Sequence, residues 1–142
     1  MKYQGSYCAL ITPFKGDEFD EQSFIKIIEW HIKQGTQGIV PCGTTGESPT
    51  LSHDEHKKVV ELAVETSGGR LQVIAGTGSN STKEAISLTK HAKQCGADSA
   101  LVVVPYYNKP SQEGLKKHFL KIADTVDLPI FIYNIPGRSV VD

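Results

Sequence analysis

Lys33-Gln34-Gly35-Thr36-Gln37-Gly38-Ile39-Val40-Pro41 and Lys93-Gln94-Cys95-Gly96-Ala97-Asp98-Ser99-Ala100-Leu101-Val102-Val103-Val104-Pro105 follow one plan: a basic helix end, a glycine, then an apolar run stopped by proline. Good local signals shared by two βα units explain much of the echo, yet it still marks a repeat. Outward from this pair, runs of the same kind lie at Tyr7 to Ile11, Leu71 to Ala75 and Pro129 to Tyr133, so that five runs recur about every 30 residues. Each is apolar nearly throughout, as strands buried on both faces of a parallel sheet are. The segments between them read as helices. Ser52-His53-Asp54-Glu55 and Ser81-Thr82-Lys83-Glu84 have capping-box spacing, and Gly35 and Gly96 supply left-handed residues that close helices. Alternating strands and helices leave two architectures, an open doubly wound sheet or a (β/α)8 barrel. A phosphate-loop reading of Gly76-Thr77-Gly78-Ser79-Asn80-Ser81 fails for want of a third glycine and an acidic ribose partner.

A formal net charge of -1 with interspersed signs provides no basic stripe, which argues against nucleic acid and toward small molecules. Cys8, Cys42 and Cys95 are odd in number and set in apolar stretches, as expected of reduced, buried thiols in a cytosolic protein without redox or metal duty. Met1-Lys2-Tyr3-Gln4-Gly5 lacks an apolar signal region, and no apolar run approaches the roughly 20 residues of a membrane helix. A cytoplasmic protein with no membrane partner is expected. No linker or low-complexity tract divides the chain. A (β/α)8 barrel takes about 250 residues, so 142 residues are expected to be the N-terminal half of a single barrel domain, incomplete as a folding unit. Its open edge would expose an unpaired backbone ladder.

Functional groups of a barrel gather where strands end. Gly43-Thr44-Thr45-Gly46-Glu47-Ser48 sets two hydroxyls on a tight turn whose glycines let backbone N–H groups approach a carboxylate. Pro105-Tyr106-Tyr107-Asn108-Lys109-Pro110 and Tyr133-Asn134-Ile135-Pro136-Gly137-Arg138 follow the fourth and fifth runs. Thr and Tyr hydroxyls both donate and accept, so they can pass a proton. Arg138 offers a planar fork for a second carboxylate. The residues by themselves imply a small acid with one or two carboxylates and proton transfer by phenol and hydroxyl.

Those three segments, in this order and spacing, resemble the motifs of the 4-hydroxy-tetrahydrodipicolinate (dihydrodipicolinate) synthase family. The resemblance runs from the first strand to Asp142. It implies a (β/α)8 barrel, of which this chain supplies the first four βα units and the fifth strand. It also implies a lyase that condenses pyruvate with L-aspartate 4-semialdehyde, in lysine biosynthesis, through a Schiff base. Thr45 and neighbouring amides would hold the pyruvate carboxylate. Tyr133 would donate and accept protons, with Thr44 and Tyr107 relaying them to solvent. Tyr107 would reach in from a neighbouring subunit, making a homodimer or homotetramer. Arg138 would bind aspartate semialdehyde. Tyr106 is read as interface packing.

The resemblance further implies an L-lysine effector site at Ser48, His53, His56, Asn80, Glu84 and Tyr106. Glu84 suits an ammonium group, while Asn80 and Tyr106 suit a carboxylate. On local pattern alone His53 and His56 are exposed first-turn residues, and Asn80 and Glu84 are capping residues. As metal ligands the two histidines, three apart, lack an evident third. No cofactor is expected, since the imine is the electron sink. The family's imine-forming Lys falls beyond Asp142. Lys15 and Lys109 sit in polar loops unsuited to a neutral amine, so a chain ending at Asp142 is expected to be inactive. Two rivals remain. N-acetylneuraminate lyase and related aldolases share the Gly-hydroxyl turn but are not expected to carry Ile135-Pro136-Gly137-Arg138, and a non-catalytic half-barrel would bind carboxylates or lysine, or serve as an assembly partner.

Overall fold

The computed structural model describes residues 3–142; Met1 and Lys2, the start of the terminus read above as lacking a signal region, lie outside it. Four long helices each begin at a side chain that accepts the backbone N–H of the third helical residue. Asp20 caps α1 (Glu21–Lys33), Ser52 caps α2 (His53–Ser67), Ser81 caps α3 (Thr82–Cys95) and Ser111 caps α4 (Gln112–Thr125). Two hydrogen bonds from Ser23 hold the Asp20 carboxyl below its usual range. Gly35, with φ 73°, and Gly96, with φ 94°, follow α1 and α3 in the left-handed region. The Ser52–Glu55 capping box is complete. The expected second box is not: Ser81 accepts from Glu84, but the Glu84 carboxylate turns away to Ser79 and His53.

All five expected strands form, with ends shifted by one or two residues: β1 (Tyr7–Ala9), β4 (Gly38–Val40), β5 (Gln72–Gly76), β6 (Ser99–Val103) and β7 (Ile130–Tyr133). A short hairpin, β2 (Phe14–Lys15) and β3 (Glu18–Phe19), went unrecognised in the sequence although Gly16-Asp17 is a two-residue hairpin signal. The five strands pair in parallel in chain order, β1-β4-β5-β6-β7. That order decides between the two architectures. A doubly wound sheet reverses direction at a switch point, whereas uniform right-handed crossovers place every helix on one face and curl the sheet toward a barrel.

The helix-facing layer is the core. On α1, Phe24, Ile28 and His31 recur at i, i+4 and i+7 and are buried, and Val59, Val60 and Ala63 do the same service on α2. These pack with Ile39, Val73 and Ala75 of the sheet; Ala85 and Ile122 of the next helices pack with Ala100 and Val102. Burial on both strand faces holds for β5 and β6 but not for the rims. In β7, Phe131 is 37% and Ile132 59% exposed, because β7 has a strand on one side only, although the Tyr3 ring packs edge-on against Phe131 at 5.0 Å. Ile11, beyond β1, is 54% exposed for the same reason. Among the described residues no helix is long and apolar enough to cross a membrane.

Candidate functional site at the strand ends

After β4 the backbone enters the left-handed region at two non-glycine residues, Cys42 and Glu47, both with φ 54°. The turn between them is locked from beneath. Thr12, 4% exposed, donates its hydroxyl to the Gly46 carbonyl at 2.7 Å. A Cβ at Gly46 would meet Leu10 O at 3.0 Å and the Cys42 amide at 3.1 Å, so this glycine serves packing rather than ligand approach. Gly43 is the open one, with only a Val40 methyl 3.9 Å away. Glu47 donates its N–H to Thr44 O at 3.1 Å and Ser48 to Gly43 O at 3.4 Å. The amides of Thr44 and Thr45 make no hydrogen bond among the described residues.

Next to this turn β5 ends on Gly76, where any Cβ would run into the Cys42 carbonyl, and Gly78 lies against the Val103 backbone. These glycines, which the failed phosphate-loop reading left unexplained, let three strand ends close on one another. They border a cleft of about 250 Å³, whose lining includes Thr44, Ser48, Tyr106, Tyr133 and Arg138 from the three motif segments. The side chains of Thr44, Tyr133 and Arg138 have no hydrogen bond or ion pair among the described residues. Leu101 and Val103 supply the apolar wall. Cys42 also borders the cleft, but burial pushes its thiol up to about 12 and it donates to the His56 carbonyl at 3.7 Å, so it is no nucleophile. Cys8 and Cys95, expected to be buried, are only half-buried.

Two expected members stand apart from the cleft lining. Thr45 is exposed and is not part of the cleft lining. Tyr107 is 91% exposed, at φ 72° in the middle of a three-residue γ-turn closed by the Asn108 N–H on the Tyr106 carbonyl at 2.9 Å. This hand of γ-turn is rare and strained.

The second constellation is drawn together in part. His53 Nε2 pairs with Glu84 Oε1 at 2.7 Å, and Glu84 also accepts from Ser79. Asn108 donates its side-chain amide to the Asn80 carbonyl at 3.0 Å. Burial first and the Glu84 charge second push the Tyr106 phenol up, against a backbone hydrogen bond from Asn80. His56 departs from the reading as an exposed residue. It is 4% exposed and hydrogen-bonded through Nε2 to the Gly76 carbonyl at 2.8 Å, and desolvation lowers its pKa to about 4. As the fourth residue of α2 it lies on the inner face of the helix, whereas His53, the first, stays outside. The two histidines therefore face different partners and form no ligand pair. The supporting roles of Thr12 and Gly76 went unread in the sequence, since nothing in their spacing ties them to the turn after β4.

Parallel strands wound in one direction, helices on one face and a cleft at the strand C-terminal ends that holds hydroxyls and a guanidinium against an apolar wall define the class: the first four βα units and fifth strand of a (β/α)8 barrel. The model of the dihydrodipicolinate synthetase family matches residues 2–142, and the chain belongs to that family. It is 65% identical, over 99% of its length, to a 4-hydroxy-tetrahydrodipicolinate synthase of Parvibaculum lavamentivorans, of which it covers 48%. Among solved structures it is similar to a chloride-inhibited dihydrodipicolinate synthase from Acinetobacter baumannii complexed with pyruvate. The TM-score there is 0.95 at 54% identity, over 98% of this chain and 48% of that one. A lysine-bound synthase from Cyanidioschyzon merolae gives 0.93 at 43%, over 97% and 48%. The chain thus spans about half the length of the curated relatives it matches.

Proposed function

We propose that the protein acts as a lyase condensing pyruvate with L-aspartate 4-semialdehyde to 4-hydroxy-tetrahydrodipicolinate, through an imine on a Lys that lies beyond Asp142. The observation that carries this reading is the cleft in which Thr44, Tyr133 and Arg138 stand without protein partners among the described residues. The names of the relatives and the pyruvate complex of the Acinetobacter neighbour support it. Residues 1–142 are then the N-terminal half of one barrel domain. No lysine lines the cleft among the described residues, and Lys15 and Lys109 are exposed, so the nucleophile comes from the other half.

Each residue takes one task. The free amides of Thr44 and Thr45, with the Thr45 hydroxyl, hold the pyruvate carboxylate. Tyr133 gives a proton to the departing oxygen as the imine forms and takes one back during condensation. Thr44 passes that proton to Tyr107 of a neighbouring subunit in a homodimer or homotetramer. The exposure and strained turn of Tyr107 support this use, since a side chain held out in solvent is ready for a partner's cleft. Arg138 takes the second carboxylate. The imine is the electron sink, so the reaction calls for no organic cofactor or catalytic metal. The work is done in the cytoplasm.

L-Lysine is the proposed effector, held by Glu84, His53, Asn80, Ser48 and Tyr106, with buried His56 supporting the site from below. The lysine complex of the Cyanidioschyzon neighbour supports this.

The deciding experiment traps full-length protein with pyruvate and borohydride and maps the adduct by mass spectrometry. The expected result is a reduced pyruvate on a lysine beyond residue 142, none on residues 1–142 expressed alone, and turnover with aspartate semialdehyde. Absence of any adduct, or turnover of N-acetylneuraminate alone, overturns the reading.

A further inference from the structure

The facing surfaces of α2 and α3 each carry two side chains one helical turn apart: Glu61 and Glu65 on α2, His91 and Cys95 on α3. Residues four apart share a face, so two pairs meet across the helix interface. His91 Nε2 stands 2.9 Å from Glu61 Oε1 and 3.5 Å from Cys95 Sγ. One donor atom from each of Glu61, His91 and Cys95 falls within 4.8 Å of the others, and all three residues are half-buried. None of the three borders the cleft.

We propose that Glu61, His91 and Cys95 form a divalent-metal site of the zinc class that clamps α2 to α3. Bonds of about 2.0–2.1 Å to N and O and about 2.3 Å to S put tetrahedral ligands on one ion roughly 3.3–3.6 Å apart. The 2.9 Å Glu61–His91 and 3.5 Å His91–Cys95 separations lie within about half an ångström of that, and rotation of the partly exposed Glu61 side chain adjusts the third. On binding, the neutral imidazole carries its one proton on Nδ1 and ligates through Nε2, the Glu61–His91 hydrogen bond gives way to the ion, and the Cys95 thiol releases its proton to solvent. Burial first, then the Glu61 and Glu65 charges, raise the Cys95 thiol above its usual range without metal, and water completes the coordination of the ion. A mixed nitrogen, oxygen and sulfur set favours Zn²⁺ and Co²⁺ over Mg²⁺ and Ca²⁺, which want oxygen. The sequence conceals the site because its halves lie 30 residues apart, and the i, i+4 spacing is a metal signal only when a second pair faces it.

The experiment uses full-length protein, reduced and stripped with chelator. Co²⁺ is expected to give a thiolate charge-transfer absorption, and Zn²⁺ to raise Tm where Mg²⁺ does not. Cys95→Ser should abolish the absorption. His91→Gln, which keeps a hydrogen bond to Glu61, should weaken zinc binding at least about 10-fold by equilibrium dialysis, with circular dichroism reporting that each variant folds. A cobalt complex without the sulfur band, or equal zinc binding and Tm shift in parent and both variants, overturns the proposal. So does a plain Glu61–His91 hydrogen bond indifferent to metal, seen as no Tm response in the parent.

Discussion

The turn after β4 and the loop after β6 both supply groups to the strand-end cleft, but they are built on opposite terms. The first is pinned. Thr12 holds it from below, Gly46 packs it against β1, Gly76 packs β5 against Cys42, and His56 ties α2 to the Gly76 carbonyl. Its two left-handed residues are tolerated because the surroundings over-determine them. The second, residues 106–110, is largely exposed and puts Tyr107 at the crown of a strained γ-turn. One segment preserves a shape around a ligand; the other spends backbone strain to hold out a side chain. Substitutions in the pinned turn should therefore register as lost stability, and those in the open loop as lost activity or even gained stability.

The largest effect is expected from Gly76→Val, whose branched side chain would have to displace the Cys42 carbonyl. It should cost upwards of about 3 kcal/mol in urea unfolding, or prevent folding. Next comes the pH dependence owed to His56. Its folded pKa, about 4, lies below its ordinary 6.5, so the unfolded chain binds the extra proton. Stability is fully present above pH 6.5 and falls as the pH drops through 4, by as much as about 3 kcal/mol. His118, also lowered by burial, acts in the same direction. Unfolding free energies measured across this window should decline less steeply in His56→Asn, and identical slopes would remove His56 from the pinned wall. Thr12→Val strands the Gly46 carbonyl and should cost about 1–3 kcal/mol.

The open loop should answer differently. Tyr107→Phe is expected to leave Tm nearly unchanged and lower kcat of the full-length protein about 10- to 100-fold with little change in KM. Tyr107→Gly should lower kcat as much while raising stability by up to about 1 kcal/mol, because glycine relieves the positive φ. A Tyr107→Gly variant that is destabilised would erase the contrast between the two segments. At the proposed effector cluster Glu84→Gln should weaken L-lysine inhibition about 10-fold, with kcat unaffected.

How much of this was legible depends on range. The five strands and the Ser52 cap could be read because periodicity and capping act within one turn or one strand. The second capping box could not, since the choice of Glu84 between its own helix end and His53 is made by a neighbouring helix. His56 was misjudged likewise: its place in a first turn suggested exposure, but the face it occupies is known only once α2 is laid on the sheet.

Alternation of helices and strands, the helix caps and the polar segments at strand ends were determined by the sequence itself, being local consequences of side-chain shape and hydrogen bonding. The three motifs also carried the family resemblance. Only the tertiary structure decided the one-directional strand order, the sorting of Thr44, Tyr133 and Arg138 into the cleft and Tyr107 out of it, the use of Gly46 and Gly76 for packing, and the meeting of Glu61 with His91 and Cys95. Each of these depends on contacts between residues far apart in the chain, and only side chains brought within a few ångströms of one another can establish them.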